Sequence, residues 1–383
     1  MRKTIYALAL VGAIMASSTS VAYADTTSYT KYSYLQKIQS DNFELNQLND
    51  DLEDELKEYK TALRLKETIE EMSLEDFDDN YDDSASRLKA SQTKLYDHIK
   101  EGKEYLDKYV EQQQKENDIV LTGEKNYYNY LIEQKNLQNK VDNFTLMKSK
   151  YDAKLLENQL GKISDLDLLS FEKTYNDSFV AQLLALNAAE KAKNSFNQYI
   201  SVDINEAIDL TDIDIPLPEY TIENLDATLQ LMLDNSYQLK TLEMELQRLE
   251  ADRILKGRYS GYADTKIELE NNAIAIDETN EQIKDIKLDL AYQLLTKYND
   301  TMAAENTFKS AELSQKIQEN QYKVAQIKYD NQMISSIEYI EAKQNYDNAI
   351  NNYFTAKLNA YAQIQTFNDF IDLNTVPVNM DFN

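Results

Sequence analysis

The sequence predicts an all-α protein of elongated antiparallel coiled-coil hairpins, arranged as two tandem repeats. Three observations carry that prediction. First, residues 151–200 lie over 322–371 without a gap, every pair 171 positions apart. Tyr151 falls on Tyr322, Ile163-Ser164 on Ile334-Ser335, Asp167 on Glu338, and Tyr175 on Tyr346. Ala185 and Ala189 fall on Ala356 and Ala360, and Phe196 falls on Phe367. A second match opens each half, with Asn42-Phe43, Leu45, Leu48 and Leu52 over Ser236-Tyr237, Leu239, Leu242 and Leu246. Repeated units of this kind bury their apolar faces against neighbours. Second, the 383 residues include only six Gly and three Pro, and Pro216, Pro218 and Pro377 lie outside the helical stretches. Third, Leu269, Ile276, Ile283 and Leu290 recur every seven residues, the period of a coiled-coil seam.

Taken in order, the chain opens with a signal peptide over residues 1–24. Arg2 and Lys3 precede an apolar run over 5–16 that is too short to span a bilayer, and Ala22-Tyr23-Ala24 supplies a cleavage pattern before Asp25. Export is therefore expected, with the mature chain starting at Asp25. No later stretch approaches the about 18 to 20 apolar residues of a membrane helix. Cysteine is absent, which excludes disulfides, thiolate chemistry and a lipid-modified N-terminal cysteine.

The first repeat, 25–200, reads as a helix over 29–66, an acidic break at 67–84, and a long helical region over 85–160. That region is interrupted near Thr122-Gly123, and a returning helix follows over 164–200. A linker at 201–220 carries Ile215-Pro216-Leu217-Pro218, where proline forbids helix continuation. The second repeat, 221–371, reads as a helix over 222–256, a tight turn at 257–261, and a very long helix over 262–331. At 1.5 Å per residue that helix would reach about 105 Å. A returning helix over 335–371 carries Ala342, Ala349, Ala356 and Ala360, small residues that admit a close neighbour. Residues 372–383 form a tail.

The formal charge of −27 disfavours nucleic acid and anionic lipid surfaces, both of which would be repelled. Nothing points to an enzyme. His98 is the only histidine and lies in a charged helical run, so no nucleophile and base can be assembled, although carboxylate pairs remain. Glycine-rich phosphate loops are absent. The acidic residues from Glu75 to Asp83 lack the spacing and glycine of a calcium loop and read as a disordered surface segment, so no metal or cofactor is expected. Tyr127, Tyr128 and Tyr130 are expected to pack at seams between helices.

Four short stretches carry a family resemblance. Residues 329–342, with Gln332, Ile334-Ser335, Glu338, Glu341 and Ala342, resemble the tip signature of the second repeat in TolC-type outer-membrane efflux proteins. That signature is an aromatic residue, a glycine, an apolar–Ser pair, then acidic residues and alanine on the returning helix. The first repeat has its own version around Gly161, Ile163, Ser164 and Asp167. The run 226–239 resembles the family's opening helix of the second repeat, and 215–218 its inter-repeat linker. The resemblance covers nearly the whole mature chain.

The resemblance implies a homotrimer, each chain giving four helical stretches to a twelve-helix α-helical barrel. It implies a tunnel that passes solutes or proteins outward, docked on a periplasmic adaptor (membrane fusion) protein fed by an inner-membrane transporter. It places the adaptor-docking tips at Gly161, Ile163, Ser164, Gln332, Ile334 and Ser335, and aperture carboxylates at Asp167, Glu338 and Glu341. Glu338 and Glu341 share one helical face at i, i+3 spacing, and rings of carboxylates in a trimer would favour cations.

The sequence also departs from the family. The family inserts a pair of membrane strands between the first two helices of each repeat, and such strands need about ten residues each. The second repeat has only 257–261 there, and in the first Phe77 and Tyr81 stand among carboxylates that would not face lipid. The membrane strands are therefore expected to be missing, giving a strandless relative in the outer membrane or peripherally associated with the envelope. Gln332 also replaces the tip glycine. The alternative expectation is a secreted coiled-coil scaffold or adhesin-like stalk that conducts nothing.

Overall fold

The computed structural model describes residues 27–74, 76–80, 84–210, 214–220, 222, 224–259 and 264–375. The expected signal peptide, Tyr81 and most of the tail lie outside them. The elements are β1 (Thr27–Tyr29), α1 (Lys31–Asp41), α2 (Phe43–Glu67), the one-turn helix α3 (Asp76–Asn80) and α4 (Ser84–Gln92). A π-turn (Thr93–Asp97) leads into α5 (His98–Gln159), then α6 (Asp165–Tyr199) and β2 (Ile208–Leu210). The second half contributes α7 (Leu225–Asn235), α8 (Tyr237–Tyr259), α9 (Asp264–Asp330) and α10 (Ser336–Thr375). At 1.5 Å per residue the 67 residues of α9 rise about 100 Å.

Both opening helices are split where single helices were expected, and at matching positions. Asn42 ends α1 and caps α2, its Oδ1 accepting from the Leu45 N–H at 2.9 Å. Ser236 separates α7 from α8 with ψ at 125°. These are the residues superposed by the second internal match. Short polar side chains compete with the helical backbone and favour caps, an effect an apolar periodicity does not register. Conversely, the expected interruption at Thr122-Gly123 does not occur, and α5 runs through it. Gly123 serves packing instead, since an added Cβ would lie 2.7 Å from Ile38 Cδ1 of α1. The irregular turn of this region is at Thr93–Asp97. The described part of the acidic break is also ordered, with Phe77 buried in α3 and Lys94 Nζ donating to the Ile69, Glu70 and Met72 carbonyls.

Two compact units emerge, each drawing on both halves of the sequence. One comprises Met1–Asp41, Thr122–Ile215 and Tyr322–Asn351; the other comprises Asn42–Leu121, Pro216–Gln321 and Asn352–Asn383.

In the first unit β1 and β2 form a parallel pair in the register Thr27 to Ile208. Among the described residues these are the strands, three residues each. Phe196, fully buried, anchors the core. Its ring stacks on Tyr34 at 4.2 Å and meets Tyr29, Tyr127 and Tyr130 at 5.9, 6.2 and 5.6 Å. The Tyr127 hydroxyl donates to the Tyr29 carbonyl at 3.2 Å. Helices α5 and α6 run antiparallel, as Phe144 and Tyr151 both pack on Tyr175 while Tyr127 and Tyr130 reach Phe196.

In the second unit Phe367, which the internal repeat superposes on Phe196, occupies the matching place. It packs with Met232, Leu239, Leu290 and Leu294, and with Tyr220 and Tyr298 at 5.7 and 6.3 Å. Ring contacts Tyr298–Phe367 and Phe308–Tyr353 set α9 and α10 antiparallel. Helices α2 and α5 also pair antiparallel here through Tyr59–Tyr105, Asn49–Gln112 and Glu44–Lys115.

Candidate functional site

The candidate site is the pair of turns, α5 to α6 and α9 to α10, that close the two hairpins within the first unit. Each opens with the same helix-terminating geometry. Gly161 has φ +69°; its N–H donates to the Asn158 carbonyl and that of Lys162 to Glu157, both at 2.8 Å. Gln332, 171 positions later, has φ +58°, with Gln332 N–H on Tyr329 at 2.9 Å and Met333 N–H on Lys328 at 2.7 Å. This double bond across a left-handed residue satisfies the last carbonyls of a helix. Gln332 therefore adopts the glycine conformation without being glycine, at a strain cost of about 1–2 kcal/mol for a residue carrying a Cβ.

Nothing lies within 4 Å of a Cβ added at Gly161, so the substitution Gly161→Ala tests the backbone alone. It is expected to weaken the first turn by about 1–2 kcal/mol, read as faster amide exchange at 157–165 with the second turn unchanged.

Each turn then starts its returning helix with a reciprocal cap. Ser164 Oγ accepts from the Asp167 N–H at 3.1 Å and donates to Asp167 Oδ2 at 2.7 Å, and the Ser164 N–H donates to that carboxylate at 3.3 Å. In the second turn Ser335 N–H donates to Glu338 Oε2 at 2.7 Å and Glu338 N–H donates to Ser335 Oγ at 3.2 Å. The pattern is a capping box, in which two orphan donors are satisfied at once. The Ser164 hydroxyl and N–H hold the Asp167 carboxyl below the usual range, and the Ser335 N–H and hydroxyl do the same for Glu338. Both are exposed, as is Glu341 one helical turn on.

The structure thus brings together the residues expected at each tip. Ile163 and Ile334 are half-buried, while Gly161, Ser164, Gln332 and Ser335 are exposed. Around them stand exposed apolar side chains, with Leu160 62%, Leu166 74% and Met333 71% exposed. Sequence reasoning passed over the capping role of Asp167 and Glu338, although Ser-x-x-Asp and Ser-x-x-Glu are legible signals for it. It also passed over the aromatic cluster beneath the second turn, where Tyr329 stacks on Tyr339 at 4.8 Å. The Tyr339 hydroxyl meets that of Tyr322 at 3.0 Å, and burial together with this contact pushes Tyr339 up to about 12.

Away from the tips, in the second unit, Glu55, Glu58 and Glu101 bring carboxylate oxygens within 4.8 Å of one another. Burial and the neighbouring Glu104, Glu58 and Glu101 raise the Glu55 carboxyl, while Lys100 pairs with Glu101 at 2.9 Å. Sequence spacing could not reveal this grouping, because it joins two helices. No described helix is long and apolar enough to cross a membrane. Four residues, 260–263, separate α8 from α9, too few for a pair of membrane strands of about ten residues each.

No protein-family model matches the chain, and no curated protein matches it in sequence. Solved structures do resemble it. A membrane protein from Pseudomonas aeruginosa superposes with a TM-score of 0.63 at 10% identity, over 89% of this chain and 90% of that one. The outer-membrane channel OprN gives 0.60 at 10% identity, over 89% of each chain. The open state of the Neisseria gonorrhoeae MtrE outer-membrane channel gives 0.59 at 9%, over 90% of each. Each of these similarities covers about nine-tenths of this chain, so the chain has the fold of TolC-type outer-membrane channels.

Proposed function

We propose that the chain is one protomer of a TolC-like export tunnel in the cell envelope. The observation that carries this reading is a second apolar seam on α9. Its inner seam, including Leu290 and Leu294, is buried in the chain's own second unit. Ile267, Ile274, Leu288 and Leu295, at heptad positions on another face, are 62%, 56%, 72% and 51% exposed. Helix α6 repeats the arrangement, with Ala185, Ala189 and Ala192 buried and Val180 and Leu184 exposed. A helix with two seams packs against two neighbours, as helices in a closed ring must. Three copies, each giving four helical stretches, would close such a ring and cover the outer seams.

In that assembly the turns at Gly161 to Ser164 and Gln332 to Ser335 are the docking surface for a periplasmic adaptor, itself joined to an inner-membrane transporter. Asp167, Glu338 and Glu341 then line the aperture and favour cations. Asp167 and Glu338 do this while holding their caps, so Glu341 is the residue whose charge can be altered without unwinding a helix start. The protein is not an enzyme in this reading; it is exported by its signal peptide, and its location is the outer membrane or its periphery. Charge reversal, Glu341→Lys, is expected to weaken adaptor binding and cation passage while leaving the folded assembly unchanged. Unaltered binding and passage would remove Glu341 from the aperture.

The short 260–263 connection favours a second reading, a secreted coiled-coil scaffold or stalk with no lumen. That reading requires the outer seams to stay uncovered or to bind a different partner.

A further inference from the structure

The connection from α2 to α5 folds against its own composition. Residues 67–83 include nine acidic side chains and no lysine or arginine, a make-up that keeps a chain unfolded in water. Its described residues are nonetheless ordered, with Phe77 fully buried and the Asp76 N–H donating to Ser73 Oγ at 3.2 Å. Cations from outside the segment supply what it lacks. Lys94, in the π-turn, donates through Nζ to the Glu70 carbonyl at 2.6 Å, to that of Ile69 at 3.4 Å, and to that of Met72. Arg258, near the end of α8, donates through Nη2 to the Leu74 carbonyl at 2.7 Å. Four carbonyls that follow the end of α2 at Glu67 are thereby satisfied. A second contact ties α8 to the π-turn. The Arg248 guanidinium lies 5.7 Å from the Tyr96 ring, and its Nη1 donates to the Tyr96 hydroxyl at 3.4 Å. All of these residues belong to the second unit.

We propose that Lys94 and Arg258 are the anchors of a clasp that folds residues 67–80 in water, closing this end of the second unit without lipid. Carbonyls beyond a helix end need partners, and bonds from a charged donor are the strong ones. Here the two donors approach from different elements, so the segment is fixed on α8 and on the π-turn that leads into α5. The carboxylates are left outside, since Glu67, Glu70, Glu71 and Asp76 are exposed. A bilayer would have to strip water from them, at a cost that keeps acids away from lipid. The surface that the clasp presents is therefore hydrated and negative. The inference goes beyond the tunnel reading and holds for a stalk as well. In a tunnel it means that this end of the second unit is not the part that meets hydrocarbon.

Amide hydrogen exchange on the purified mature chain, residues 25–383, tests it in detergent-free buffer. Residues 67–80 are expected to be protected, and equally so with and without neutral phosphatidylcholine vesicles. Lys94→Met keeps the aliphatic stem and removes the ammonium. It is expected to speed exchange at 67–80 about 10- to 150-fold, the worth of a hydrogen bond to a charged group, with 127–134 unchanged. Arg258→Met is expected to speed exchange of the same residues. Protection that arises only with vesicles would overturn closure in water, and unchanged exchange in either variant would overturn the clasp. Neither result touches the tunnel reading, because exchange at 67–80 does not report assembly and particle mass does.

Discussion

Phe196→Ala is expected to destabilise the first unit by about 3–5 kcal/mol, the usual cost of truncating a fully buried phenylalanine. The ring is fully buried and touches four tyrosines contributed by β1, α1 and α5, with a stacked contact to Tyr34. Several of these partners also hold the β1–β2 pair through the Tyr127 and Tyr130 hydroxyls. A cavity here therefore loosens helices and strands together. The repeat predicts a mirrored result, in which Phe367→Ala weakens the second unit by a comparable amount through loss of contact with Met232, Leu239, Leu290 and Leu294. Urea unfolding followed by exchange at 127–130 and 290–294 separates the two. A cost below about 1 kcal/mol for either substitution would mean that the buried phenylalanines are not the centres of their units.

The second large effect concerns assembly. Leu288→Glu with Leu295→Glu changes two residues that are 72% and 51% exposed in the single chain, so its helix content is expected to survive. Each leucine buried between copies is worth about 1.5–3 kcal/mol. An unpaired carboxylate in its place costs several kcal/mol more. Repeated at every junction of a ring, this abolishes assembly. Light scattering is expected to find a monomer with the circular dichroism of the parent protein. An unchanged particle mass would show that the outer seam of α9 is not an interface.

Much of this architecture was legible because duplication fixes positions absolutely. One offset of 171 residues pairs Phe196 with Phe367, Gly161 with Gln332, and the capping acids Asp167 and Glu338, and each pair plays the same structural part. The long helices were legible from heptad spacing and the scarcity of Gly and Pro. The breaks at Asn42 and Ser236 were not, because a cap is a one-residue event inside an unbroken apolar period. Gly123 misled for the opposite reason, since a glycine that admits a neighbouring helix looks the same in sequence as one that ends a helix. At the tips the acids suggested only an aperture, whereas the structure gives Asp167 and Glu338 a cap to hold first. The approach of the Lys150 ammonium to within 5.0 Å of the Tyr329 and Tyr339 rings was invisible as a matter of principle, because these residues are far apart in sequence and only folding brings them together.

In the proposed assembly, chains of this fold close into a ring around a lumen. The most direct measurement is the mass and shape of purified residues 25–383, by light scattering with negative-stain imaging. A trimer with a central channel is the expected result. A solid monomeric rod would contradict it and leave a scaffold built on a channel-like fold.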